Sequence, residues 1–335
     1  MNVIPGKTEF TEAEHAELIT RVKRVRERGG LSQADIGRQA EVPSSSLSQY
    51  LNGSYPNEAG KIDIAAKLTR WLKALDAEQA MRRQLPVAPV YVALKGSKKI
   101  SALMGYARQT GRMVLITGVP GVSKTATARQ FREDNPRTWY TAMDPSTRGV
   151  PTMLLEILAA MGVSDARGTP QSLMRLIHQH AVEAKGLIII DEAQHLSEQA
   201  IEALRAINDR TRAAGSPVGV AFLGNEMAYN RVGTTGTQAA FAQVSSRFAQ
   251  RRWIVAPDAE DAAALARAWA EANREEITSA EISFCQLIAT KPGGLRNIEM
   301  TMESALLAAR GGQEPLTLDH LRAAFEQLSG VTHGL

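Results

Sequence analysis

The 335-residue chain has one cysteine, Cys285, so it cannot close a disulfide on itself, and a cysteine-rich metal scaffold is excluded. No uninterrupted apolar run approaches the roughly 20 residues a helix needs to cross a bilayer. The first residues, MNVIPGKTEFTEAEHAEL, are polar and acidic, unlike a secretory leader. The histidines show no H-x-x-x-H spacing; His178 and His180 lie two apart on a helical stretch and face different ways. A G-x-S-x-G nucleophile elbow is also missing. These absences remove secreted, membrane-spanning, zinc-dependent and serine-hydrolase readings, and they predict a cytoplasmic protein with a buried thiol at Cys285.

What is present is ordinary in bulk, with 44% apolar and 22% charged residues and a net charge of +4, a balance that permits a polyanionic partner without requiring one. Residues 1–80 are helical in pattern from residue 11. Residues 81–97, RRQLPVAPVYVALKGSK, carry two prolines and no helical period, and are expected to be a linker. From 98 to 256, short apolar runs (RMVLITG, TWYTAMD, GLIIID, PVGVAFLG) alternate with helical stretches. That alternation predicts an α/β domain with a parallel sheet covered by helices. Residues 257–335 are helical again.

GVPGVSKTA, Gly118–Ala126, follows the first strand-like run and opens a helix. In the pattern G-x-x-x-x-G-K-[ST], successive backbone N–H groups and a helix N-terminus cradle phosphates. Gly118, Val119, Pro120, Gly121, Val122, Ser123, Lys124, Thr125 and Ala126 are therefore the expected nucleotide loop. Lys124 would reach the β- and γ-phosphates and Thr125 would ligate Mg²⁺. Ser123 replaces the last glycine; if its φ is positive, the side chain costs on the order of 1 kcal/mol. GLIIIDEAQHL supplies the second half: Asp191 to hold Mg²⁺, partly through water, and Glu192 to orient or deprotonate the attacking water.

These motifs resemble the AAA+ ATPases. The resemblance implies that Asn225, at the end of VGVAFLGN, is a sensor near the γ-phosphate. It implies that Arg247, in QVSSRFAQRR, is an arginine finger acting on a neighbouring subunit, with Arg251 and Arg252 as competitors. It also implies that Arg296, in GGLRNIE, is the second sensor, on a helical lid.

Upstream, LSQADIGRQAEVPSSSLSQYLNG resembles a repressor-type helix-turn-helix. Ser32 is placed to cap the first helix and Ser44–Leu51 forms the second, whose cap is expected to shift to Ser44 because Pro43 occupies the usual position. Ser44, Ser45, Ser48 and Gln49 lie on the face suited to a major groove. Phosphate contacts could come from Arg38 and from Arg21, Lys23, Arg24, Arg26 and Arg28. In the second domain Arg148, Arg205, Arg210 and Arg212 are further candidates for DNA.

The order helix-turn-helix, linker, compact AAA+ core and short lid is similar to the phage Mu DNA transposition protein B family across the whole chain. The resemblance implies an ATP- and Mg²⁺-dependent, largely non-specific binder of double-stranded DNA in the bacterial host cytoplasm. It further implies assembly with itself as a filament on target DNA, activation of an A-type phage transposase (integrase), and disassembly and target immunity driven by hydrolysis. A helicase loader, and a helix-turn-helix transcription regulator with a vestigial ATPase, remain alternatives on the same residues.

Overall fold

The computed structural model describes residues 10–184, 186–228 and 248–330. The chain divides into two compact units, Met1–Leu85 and Pro86–Leu335.

Among the described residues the first unit is all helical: α1 (Glu12–Gly29), α2 (Gln33–Gln39), α3 (Ser44–Leu51) and α4 (Glu58–Gln84). Thr11 caps α1 and Ser32 caps α2, each in a capping box with the acid three residues on, Glu14 and Asp35. Ile36, Val42, Leu47 and Leu51 turn inward with Leu18, Val22, Leu68 and Trp71 to make one core. Between α2 and α3 the chain turns so tightly that a Cβ on Gly37 would lie 2.7 Å from the Val42 carbonyl oxygen. α3 starts on Pro43 with no side-chain cap, so the expected shift of the cap to Ser44 does not occur. The fixed φ of Pro43 pre-sets the helix entry instead.

In the second unit α5 (Lys95–Thr110) precedes β1 (Met113–Gly118), α6 (Lys124–Asp134), β2 (Thr138–Ala142), α7 (Val150–Ala160), α8 (Pro170–Ala184), β3 (Leu187–Asp191), α9 (Glu198–Ala213), β4 (Gly219–Gly224) and β5 (Phe248–Ile254). The described strands form one parallel sheet in the order β2-β3-β4-β1-β5. Strands β1, β3 and β4 are buried along their whole length, which is why they read as unbroken apolar runs. Alternate residues enter opposite cores: Leu115, Ile188, Ile190 and Phe222 pack on α7, α8 and α9, while Val114, Ile116, Ile189 and Leu223 pack on α5 and α6. Four further helices follow, α10 (Ala259–Asn273), α11 (Ser279–Ala289), α12 (Leu295–Gly312) and α13 (Leu318–Ser329). They share a core that includes Trp269, Phe284, Leu306 and Phe325. Cys285 lies inside that core, where burial pushes its thiol up to about 12.

Two local expectations change. Residues 81–84 continue α4 and 95–97 begin α5, so only 85–94 lies outside helices. The strand β5 was not anticipated, because FAQRRWI keeps Ala249 to Arg252 exposed along a sheet edge and therefore lacks the apolar signature of its neighbours.

Candidate functional site: a nucleotide pocket

The loop between β1 and α6 is built from backbone geometry. Gly121 sits at φ +77°, and a Cβ there would meet the Gly293 carbonyl oxygen at 1.7 Å. Ser123 adopts the left-handed conformation (φ 62°, ψ 16°) as the N-cap of α6, so the strain anticipated for a serine there is present. Its hydroxyl lies 3.3 Å from that of Ser97, a buried residue of α5, which gives it a partner that glycine would not have.

Lys124 folds back over the loop, donating to the carbonyl oxygens of Gly118 at 2.8 Å and Val119 at 3.0 Å. Burial, and to a lesser degree the nearby Arg296 guanidinium, depress the Lys124 ammonium below the ordinary lysine range, while the charges of Asp191 and Glu192 oppose that shift. A desolvated cation of this kind fits a polyphosphate.

Asp191 ends β3 and is 1% exposed. Its Oδ2 accepts from the Thr125 hydroxyl at 2.7 Å and from the Tyr140 hydroxyl at 3.0 Å, and its Oδ1 accepts from the Glu192 N–H at 2.9 Å. Burial and then the Asp191 charge push the Tyr140 phenol up to about 12. Carboxylate and hydroxyl oxygens are the hard donors Mg²⁺ prefers. Among the described residues no group of three or more His, Cys, Asp or Glu could hold a metal ion. The Thr125 hydroxyl and the Asp191 carboxylate, 2.7 Å apart, are of the donor type that would hold a Mg²⁺.

Glu192 is exposed to the cavity and takes φ 53°. Asn225 closes β4; its Oδ1 accepts from the N–H groups of Met227 at 2.9 Å and Ala228 at 3.4 Å, capping a single helical turn. Both residues line a cavity of about 700 Å³ together with the phosphate loop, Arg129, Leu265, Trp269, Leu295, Arg296 and Glu299. Arg296 thus faces the same space as Lys124. The Glu299 carboxyl, one helical turn beyond it, is raised by burial against the opposing charge of Arg296.

A whole wall of this cavity escaped sequence reasoning. Pro86, Tyr91, Val92 and Leu94, in the stretch expected to be a linker, line it. They are pinned at both ends to α10, the first of the four C-terminal helices that make up the lid. The Asn273 side chain exchanges hydrogen bonds with the Val87 backbone, at 2.8 and 2.9 Å. The Asp261 carboxylate accepts from the N–H groups of Lys95 at 2.7 Å and Gly96 at 2.8 Å, capping α5 from the lid. The unbroken apolar composition of PVAPVYVAL was the available signal. The lid also bonds the phosphate loop directly, the Leu295 N–H donating to the Gly121 carbonyl at 2.8 Å.

Family models described as "Helix-turn-helix domain", "AAA domain" and "Mu B transposition protein, C terminal" match residues 17–85, 107–232 and 246–328. ATP-dependent target DNA activator B of Escherichia phage Mu is 31% identical over 293 residues, covering 88% of this chain and 89% of that protein. The chain belongs to the Mu B transposition protein family. Mu-like prophage FluMu DNA transposition protein B of Haemophilus influenzae is 30% identical, with 85% of this chain and 94% of that protein covered. Among solved structures, ORC2 of Aeropyrum pernix superposes with a TM-score of 0.58 at 13% identity, over 74% of this chain and 71% of that one. Cdc6p of Pyrobaculum aerophilum gives 0.54 at 15%, over 75% and 73%. At such identities these two speak for the AAA+ fold alone.

The remaining candidate residues of this Mu B family member are scattered. Ser44, Ser45 and Gln49 are exposed on α3 and Ser48 is half-buried. Arg38 forms an ion pair with Asp35 of its own helix. Arg148 and Arg210 are exposed. Arg205 is held between Glu202 at 2.8 Å and Asp209 at 2.6 Å, so a phosphate would compete with two carboxylates for it. Arg212 donates to the Gly111 carbonyl at 2.7 Å. Arg251 and Arg252 are exposed on β5, the edge strand beside β1. Arg247 lies outside the described residues.

Proposed function

We propose that this chain is an ATP-driven, largely sequence-indifferent DNA-binding protein of phage-type DNA transposition, acting in the bacterial cytoplasm. ATP is the substrate that the pocket fits, its phosphates cradled by Gly118–Ala126 and its terminal groups neutralised by Lys124. Thr125 and Asp191 would hold Mg²⁺, which when bound neutralises charge across the β- and γ-oxygens. Glu192 orients and deprotonates the attacking water, Asn225 and Arg296 flank the γ-phosphate, and Arg247 of a neighbouring subunit stabilises the developing charge. ATP bridging adjacent subunits then sets the filament on double-stranded DNA. Ser44, Ser45, Ser48, Gln49, Arg38, Arg148, Arg205 and Arg210 contribute DNA contacts of which the exposed Arg148 and Arg210 are the least encumbered. Each subunit adds a few salt-sensitive phosphate contacts, so affinity grows with filament length. The assembled protein captures target DNA and activates its transposase, and hydrolysis releases it.

The observation that carries this reading is that Lys124, Thr125 and Glu192 line one cavity, with the buried Asp191 behind them accepting from the Thr125 hydroxyl, in a chain whose relatives are named as ATP-dependent target DNA activators. The test is electron microscopy and filter binding on random-sequence duplex with and without ATP, for the wild type and Lys124→Ala. Filaments only with ATP, lost in Lys124→Ala, are expected. Solitary binding at one preferred sequence, indifferent to ATP, would favour a transcription regulator, and capture of a helicase without filaments would favour a loader.

A further inference from the structure

Gln194 stands two residues after Glu192, in a short helical turn (Ala193–His195), and is 8% exposed. Its two amide atoms go to two different parts of the site. Nε2 donates to the Glu192 carboxylate at Oε2. Oε1 accepts from the backbone N–H of Asn225 at 3.4 Å, at the end of β4. The approach is possible because Gly224 has no side chain: a Cβ there would lie 2.9 Å from Gln194 Oε1 and 2.5 Å from the Ala228 Cβ.

Glu192 needs such a brace. Its left-handed backbone is not one a glutamate favours, and its side chain projects into open cavity, where its rotamers would otherwise be free. A buried amide is costly to leave unpaired. A donor placed on a solvent-facing carboxylate ties that group to a buried side chain. We propose that Gln194 is a positioning residue for ATP hydrolysis, fixing the Glu192 carboxylate relative to the end of β4 so that Glu192 and Asn225 address the γ-phosphate as one unit. This rests on the reading of Glu192 as the water-orienting group and adds the device that aims it.

The full-length protein is assayed for phosphate release across an ATP titration with duplex DNA present. Equilibrium binding of a fluorescent ATP analogue is measured alongside. The variants are Gln194→Met, which keeps the volume and loses the amide's hydrogen bonds to Glu192 and Asn225, Glu192→Gln, and the two combined. Loss of a group that orients a reacting residue typically costs about 10- to 100-fold. Gln194→Met should therefore lower kcat by that factor while KM and the analogue Kd stay within about twofold. Combined with Glu192→Gln it should change the residual rate by less than about twofold, because a positioning residue acts only through the group it positions. Should Gln194→Met fail to fold, Gln194→Glu keeps the shape and places a second carboxylate against Glu192, with the same expected loss of kcat. Wild-type kcat in Gln194→Met beside an inactive Glu192→Gln overturns the positioning role. So does a fall in nucleotide affinity that matches the fall in kcat. Wild-type kcat in Glu192→Gln instead overturns the reading of Glu192 on which the proposal stands.

Discussion

Removing the Asp261 carboxylate should loosen the whole second unit. Helix α5 begins on Leu94, which offers no side-chain cap. Its first N–H groups are satisfied by Asp261 through bonds of 2.7 and 2.8 Å from a residue that is 3% exposed. A hydrogen bond to a charged group contributes about 1.5–3 kcal/mol, and loss of an N-cap alone about 1 kcal/mol. Against this, Asp261→Ala recovers part of the cost of burying a carboxylate, so the net loss should be about 2–3 kcal/mol. The neighbouring Lys95–Glu260 ion pair is exposed on both sides and cannot compensate. For a unit of this size that loss corresponds to a fall of about 5–10 °C in the melting temperature of its transition. Amide exchange at Lys95 and Gly96 should quicken first, and nucleotide affinity should fall, since the lid supplies Trp269, Leu295 and Arg296 to the pocket. Asp261→Asn, which keeps one acceptor, should fall between. Unchanged melting together with full protection of Lys95 and Gly96 would show that α5 is capped by something other than this carboxylate.

Three further outcomes follow from the site. Ser123→Gly relieves about 1 kcal/mol of left-handed strain but leaves the buried Ser97 hydroxyl without its partner at a similar cost; it should be nearly neutral alone and stabilising by about 1 kcal/mol once Ser97→Ala is added, read by thermal unfolding of the four members of the cycle. Lys124→Met should raise the melting temperature of the nucleotide-free protein and abolish its rise with ATP. The Lys124 ammonium is held below its ordinary range by burial, so folding disfavours its charge at neutral pH, and that disadvantage fades as pH rises through its depressed folded value. The gain over wild type should accordingly shrink at alkaline pH; a gain that grew there would reverse the sign of the argument. Tyr140→Phe removes one of the two hydroxyl donors on Asp191 Oδ2 and should raise the Mg²⁺ concentration for half-maximal phosphate release by about 10-fold, with a wild-type Mg²⁺ titration counting against it.

The features legible in the sequence are those whose geometry closes over a few residues. Ser32 and Asp35 cap each other across three positions, and Lys124 reaches back six residues to Gly118; such contacts leave a fixed spacing in the chain. Buried strands β1, β3 and β4 announced themselves as apolar runs because both faces are covered. The edge strand β5 did not, because its exposed residues carry no such constraint.

What the sequence by itself determined was therefore the phosphate loop, the acidic end of β3, the helix-turn-helix and the family they resemble. Tertiary structure alone decided that residues 86–94 wall the nucleotide cavity, that Asp261 caps a helix 166 positions away and that Asn273 grips Val87 across 186. It likewise decided that Gln194 spans from Glu192 to β4. The physical reason is that a hydrogen bond between distant segments depends on which apolar faces pack together, and local spacing does not rank those packings.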